Sequence, residues 1–281
     1  MRAITIPKFG DYNVLSLQEL PVPEPGPSDV TIDVAYAGVN YAEVLFRKGV
    51  VPDLPLPFVP GIEVSGTIRA VGEHVSGLRV GQPVAALTIV DGGGYAEVVK
   101  VPHTLVFPLD TEAGSGLDLP AAAAFPSNAT TAYMIMTEVA KMRQGETVLV
   151  HAAAGGVGSV IGQMARRLGG GLVIGTVGSP AKLEYAKSLG YDIVLLREHY
   201  EDSVMELTGG QGLDIVIDPV GGNLRREAVR ILKPFGRLIA MGNAGGEEDV
   251  CQSTNELWFT SKAVLGFNLR QISALAPQRV A

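Results

Sequence analysis

A glycine-rich turn of Gly155, Gly156, Val157 and Gly158 closely follows the apolar run Thr147, Val148, Leu149, Val150 and His151. Ile161, Met164, Ala165 and Leu168 then recur at helical spacing. Glycines at a strand-to-helix junction let the backbone turn sharply and approach a pyrophosphate closely. The free N–H groups and positive dipole end of the following helix favour the same anion. Such a turn standing alone is often plain structure. The strand before it and the helix after it point here to nucleotide binding.

The next strand end refines the cofactor. An NAD site usually carries Asp or Glu there, about 20 residues past the glycines, to bind the ribose 2′-OH. This chain reads Thr176, Val177, Gly178, Ser179, Pro180, Ala181 and Lys182, with no acid. Ser179 and Lys182 fit a 2′-phosphate instead, so the expected cofactor is NADPH. They equally fit a plain helix start, with Ser179 as cap, Pro180 first and Lys182 solvated. The two readings are compatible.

The elements that must position this turn alternate along the second half of the chain. Strands are expected at 148–151, 172–177, 193–196, 213–218, 237–241 and 264–267. Helices are expected at 158–168, 181–189, 204–208 and 224–232. Repeated β-α-β units imply a doubly wound parallel sheet. The first 120 or so residues read differently. Short apolar runs at 30–36, 64–71 and 83–87 are separated by Gly, Pro and Asp, which suggests a compact β-rich domain. Proline-rich stretches at 21–27 and 52–60 mark loops, and 40–48 suits a short helix. An alanine-rich stretch at 120–140 reads as helix with a break near Pro126.

Composition narrows the function. The chain has 281 residues, 47% of them hydrophobic, enough for about two domains with real cores. The net charge of −7 argues against a nucleic-acid surface. One cysteine, Cys251, excludes a disulfide framework and a Cys-rich metal site. A reducing, cytoplasmic setting is the simplest reading. The uncharged run at 147–165 contains His151, Gln163 and four glycines, so it suits a buried strand, turn and helix better than a membrane span. His151 is expected inside the first strand of the sheet. Cys251 is expected to pack, and Trp258 and Phe259 to pack a helix.

With these residues in place, the chain resembles the zinc-independent, zeta-crystallin-like quinone oxidoreductases of the medium-chain dehydrogenase/reductase superfamily. The family signature is met at Gly145, Glu146, Leu149, Ala153, Ala154, Gly155, Gly156, Gly158, Gln163 and Arg166. Further matching stretches begin at Ala37, Pro60, Gly92, Ala129 and Asp214. The resemblance implies a GroES-like β-rich catalytic domain at 1–122 and a Rossmann NADPH-binding domain at 123–281. It also implies no zinc: the zinc-binding branch places Cys near Asn40 and His near Ile62. Family chains continue past the point matching Ala281, so the usual C-terminal tail is expected to be lacking.

The same resemblance nominates site residues. Asn40 and Glu43 border the nicotinamide, with Tyr41 beside them. Tyr41 either donates a proton or lines the pocket, and Glu43 either acts in catalysis or fixes its loop. Thr131 contacts the cofactor or caps a helix. Asn243 and Asn268 follow the last two strands, where cofactor neighbours and ordinary turn residues both occur. Many relatives carry Tyr at the place of Leu196; whether Tyr200 substitutes stays open. The implied reaction is NADPH-dependent reduction of a quinone or α,β-unsaturated carbonyl. An enoyl-thioester reductase of lipid or polyketide metabolism and a weakly redox-active nucleotide-binding protein are the alternatives. The implied partners are a small-molecule substrate and a second copy of the chain, paired through the sixth strand, with neither nucleic acid nor membrane.

Overall fold

The computed structural model describes residues 1–51, 54–110 and 116–280; Pro52, in the second proline-rich stretch, and Ala281 lie outside them. The chain divides into two compact units, Met1–Thr130 with Leu269–Ala281, and Thr131–Asn268. The boundary expected from the sequence is 122/123, with 269–281 kept in the nucleotide half. Contacts group 269–281 with the first unit instead: Arg270 Nε donates to the Val90 carbonyl at 3.2 Å.

The first unit begins with a two-stranded antiparallel pair, β1 (Arg2–Thr5) and β2 (Ser16–Glu19). It continues through β3 (Asp29–Ala37), α1 (Tyr41–Arg47), β4 (Glu63–Val71), β5 (Pro83–Leu87), β6 (Val98–Pro102) and β7 (Val106–Pro108). These form an antiparallel five-stranded sheet in the order β6-β3-β4-β5-β7. Val30, Ile32, Val64, Ile68 and Val84 are buried in it. Each stabilises the fold by about 1.5–3 kcal/mol relative to exposure. Phe46 of α1 meets Phe58 edge to face at 5.7 Å. α2 (Leu119–Ala123), capped by Asp118, buries Ala122 and Ala123. Ser65 Oγ donates to the Leu119 carbonyl, which ties α2 to β4.

The break expected near Pro126 separates α2 from α3 (Pro126–Met134), which leads into one π turn at Ile135–Val139. The second unit then runs β8 (Thr147–His151), α4 (Gly156–Arg167), β9 (Leu172–Val177), α5 (Leu183–Lys187), β10 (Ile193–Leu196), α6 (Tyr200–Leu207), β11 (Leu213–Asp218), α7 (Asn223–Arg230), β12 (Leu232–Ala240), α8 (Thr254–Thr260) and β13 (Ala263–Gly266). α9 (Leu269–Leu275) returns to the first unit. All six strands are parallel, in the order β10-β9-β8-β11-β12-β13. The chain builds outward from β8 in one direction, then returns to β8's other side. That reversal is the topological switch point where such folds bind ligands.

Alternate residues of each strand serve opposite cores. Val148, Val150, Val173, Ile215 and Ile217 pack with Ile161 and Ala165 of α4. Leu149, Ile174, Val216 and Leu238 pack with Tyr200 and Val204 of α6 and Leu224 of α7. The signature residues outside the turn are anchors. Glu146 pairs with Arg237 at 2.7 Å, and the same guanidinium donates to the Ala140 carbonyl, closing the π turn. Arg166 pairs with Asp192, whose other oxygen accepts from Val173 N at 2.8 Å.

Three expectations are corrected. β12 begins at Leu232 rather than 237, because Phe235 takes a left-handed backbone (φ 66°) that hides the strand pattern. Trp258 and Phe259 lie on α8 but stay outside the core; they are 73% and 74% exposed and stack on each other at 4.7 Å. Cys251 is exposed rather than packed, since it sits in the stretch between β12 and α8.

Candidate active site

The glycine turn is built from its surroundings. β8 ends at His151, Ala152 takes a left-handed backbone (φ 54°), and Gly155 N donates back to the Ala152 carbonyl at 2.8 Å. Gly155 is then the N-cap of α4. The first-turn N–H groups of a helix have no carbonyl one turn earlier to bond, so they face outward as donors. At Gly158 a Cβ would stand 2.5 Å from the Ala152 carbonyl oxygen. Only glycine lets α4 begin this close to β8, which keeps the cradle open to a phosphate.

At the end of β9, Ser179 makes no cap hydrogen bond with its side chain, and Lys182 is exposed. The plain capping role of Ser179 is therefore absent. A third residue, not anticipated from the sequence, joins them. The Arg197 guanidinium would lie 3.4–3.6 Å from a Cβ at Gly178. Its Nε is buried without a hydrogen-bond partner, and no carboxylate pairs with it among the described residues. Arg197 comes directly after β10, and Leu196 pairs with Val177, so the two strand ends meet. Its place immediately past the third strand is the signal that could have found it. Tyr200 does not stand in for the missing Tyr: it is 1% exposed and lies edge-on to His151 at 5.0 Å.

His151 is fully buried in β8, as expected, with Nδ1 2.8 Å from Thr176 Oγ1. Burial lowers its pKa to about 4, so it is neutral near pH 7. Thr131 is buried within α3 and does not cap it. Asn243 lies just past β12; its Nδ2 donates to the Glu247 carbonyl at 2.9 Å while Oδ1 is buried without a partner. Asn268 lies just past β13, at the end of the second unit.

The first unit holds the other candidates. Asn40 is the N-cap of α1, and Tyr41, its first residue, is 51% exposed. Glu43 is 6% exposed; its carboxylate accepts from Asn40 N at 2.9 Å and Ile62 N at 3.1 Å. The sequence places Glu at the third helical position, where a carboxylate closes a capping box. Glu63, which falls in the family-like stretch that begins at Pro60 but is not among the site residues expected from the sequence, stands beside them. It accepts from Asn40 Nδ2 at 2.7 Å and from Ser127 N at 2.8 Å. Burial pushes the Glu43 carboxyl up to about 7 and raises that of Glu63. Burial, then the Glu43 and Glu63 charges, raise the Tyr95 hydroxyl, whose oxygen has no partner. Two buried acids with no Lys or Arg paired to them among the described residues make this a candidate site for handling charge or protons.

Comparison with known proteins bears on the family and the fold. A family described as "Alcohol dehydrogenase GroES-like domain" matches residues 26–111, and one described as "Zinc-binding dehydrogenase" matches 156–279. A probable quinone oxidoreductase of Schizosaccharomyces pombe is 35% identical over 88% of this chain and 73% of its own length. The synaptic vesicle membrane protein VAT-1 homolog of Rattus norvegicus is 35% identical over 96% of this chain and 67% of its own. The chain spans only 57% of the VAT-1 homolog-like proteins it matches. Among the described residues no helix is long and apolar enough to cross a membrane. The quinone oxidoreductase structure from Pseudomonas syringae pv. Tomato DC3000 superposes with a TM-score of 0.90 at 30% identity, over 99% of this chain and 85% of that one. A mycobacterial structure complexed with NADPH gives 0.87 at 32% identity, over 98% and 83%.

Proposed function

The chain belongs to the quinone oxidoreductase family of the medium-chain dehydrogenase/reductase superfamily, and on that premise we propose that it is an NADPH-dependent reductase of quinones or α,β-unsaturated carbonyls. The observation that carries the cofactor assignment is Arg197, an unpaired guanidinium beside an acid-free β9 end. The NADPH-bound mycobacterial neighbour supports it. The cradle fits the pyrophosphate, since its closely packed positions, 155 and 158, are both glycine. Arg197, Ser179 and Lys182 would hold the 2′-phosphate, and Thr131, Asn243 and Asn268 would complete the cofactor site.

NADPH supplies a hydride when bound. The chain's own residues must steady the charge that develops on the acceptor oxygen and supply a proton. Asn40 offers an amide N–H for the first task. Glu43, titrating near 7, can hold a proton at neutral pH for the second. Tyr41 is assigned to pocket lining. We take the reaction to be zinc-independent. A catalytic zinc does not fit: Asn40 and Ile62 are poor or non-ligands, and among the described residues no group of three His, Cys, Asp or Glu side chains could hold a metal.

The test is turnover of NADPH against a panel of quinones, enones and enoyl thioesters. Oxidation of NADPH with a quinone or enone is expected. Preference for the thioesters would move the substrate class, and a folded protein inert to all would end the reductase reading.

We further propose a cytoplasmic homodimer. β13 is the edge of its sheet, and Phe235, Trp258 and Phe259 are 85%, 73% and 74% exposed in the same unit. An unprotected edge beside exposed aromatic rings suits twofold pairing. Light scattering is expected to give twice the chain mass, and replacing Trp258 and Phe259 with Ser to shift it toward monomer. Monomer alone at micromolar concentration would reject the dimer.

A further inference from the structure

The acid pair of the first unit supports more than a reaction class. Glu63 is 1% exposed, and no Lys or Arg pairs with it or with Glu43 among the described residues. A buried carboxylate without a cation is costly. The fold nevertheless makes room for it: a Cβ at Gly38 would run into the Glu63 side chain. β3 and β4 pair at Ala37 and Val64, so the residues just beyond, 38 and 63, are brought face to face.

A carboxylate accepts and cannot donate. Glu63 therefore obliges Asn40 to turn Nδ2 toward it. The other end of that amide faces the first turn of α1, in the capping box shared with Glu43. One N–H of the Asn40 amide stays outside both interactions. We infer that Glu63 is a positioning residue whose ionised carboxylate fixes the orientation of the Asn40 amide and so makes Asn40 a hydrogen-bond donor to the acceptor oxygen. This rests on the role given to Asn40 under the proposed function.

Protonation would undo the arrangement. Ser127 N and Asn40 Nδ2 both donate to Glu63. An added proton removes the charge and takes up one acceptor position, which weakens the hold on the Asn40 amide. Burial raises the Glu63 carboxyl above the ordinary Glu range, although the Asn40 and Ser127 hydrogen bonds pull it down. The other titratable groups nearby are Glu43 and Tyr41 on α1, Tyr36 on β3 opposite Ser65, and Tyr95 ahead of β6. α2, β5 and the start of α3 bring none, and Asp33 of β3 is exposed and paired with Arg69.

Glu63→Gln tests the inference, because a Gln amide can accept from one donor and must oppose the other. Expected are a fall in kcat of about 10²-fold, an unchanged Kd for NADPH, and loss of the decline in kcat that the wild type shows on acidification. The Asn40 side-chain amide signals, tracked by 15N NMR, should titrate in the wild type with the same midpoint and not in the variant. If Glu63→Gln fails to fold, Glu63→Asp should lower kcat yet keep the acid limb. An acid limb unchanged in Glu63→Gln, or one removed by Glu43→Gln instead, overturns the inference. Asn40 signals indifferent to pH do the same. If the wild type reduces no acceptor, the reaction assignment fails, while the NMR titration still decides the positioning role.

Discussion

Replacing Arg197 with Ala is expected to weaken NADPH binding about 10- to 100-fold while leaving NADH nearly unaffected. Hydrogen bonds to charged groups are worth about 1.5–3 kcal/mol each, which converts to that range. The guanidinium is poised beside Gly178 with its Nε buried and unpartnered, so no internal ion pair must break before a phosphate binds. Lys182 is exposed and should matter less, because water and salt screen it. Gly178→Asp is expected to go further and reverse the preference. Space permits the side chain at ordinary contact distance, and its carboxylate would neutralise Arg197 while meeting a ribose 2′-OH. Fluorescence titration of both cofactors against wild type, Arg197→Ala and Gly178→Asp measures this. Equal losses for NADPH and NADH in Arg197→Ala would remove Arg197 from the 2′-phosphate.

The second large effect is on stability. The Glu43 carboxyl is raised by burial from 4.5 to about 7 in the folded chain. The folded state therefore holds this proton more tightly than the unfolded one. Its stabilising contribution is complete below about pH 4.5 and is lost as pH rises through about 7. The swing is on the order of 3 kcal/mol. His151, lowered by burial from 6.5 to about 4 in the folded chain, acts with the opposite sign over an overlapping range, so the raw pH profile mixes both. Urea unfolding of wild type and Glu43→Gln at pH 5 and pH 8 isolates the Glu43 part. Wild type should lose about 3 kcal/mol relative to the variant between the two. Parallel profiles would show that Glu43 stays ionised in the fold.

The glycine turn, the acid-free end of β9 and five of the six parallel strands were legible because each is a local pattern. Gly158 and Val177 announce themselves within a short window. Arg197 did not, because its meaning depends on β10 lying beside β9. Glu63 was hidden for a related reason: its link to Asn40 spans 23 residues and exists only once β3 and β4 pair. It could be quoted as part of a family motif without its partner being visible. Phe235 concealed the start of β12 through a backbone conformation that side-chain type does not signal. Trp258 and Phe259 look like core residues by composition, yet the fold leaves them outside.

The two halves of the proposed cofactor site hang from strands of unequal stiffness. β8 is paired on both edges and covered on both faces, whereas β10 is an edge strand. Backbone amides in β8 can exchange with solvent only when the whole unit opens, while those of β10 are released by local fraying. The cradle is thus fastened to the slowest-opening part of the sheet, and Arg197 to one of the fastest. Substitutions along the β10 edge can accordingly retune which dinucleotide is favoured without loosening the grip on its pyrophosphate.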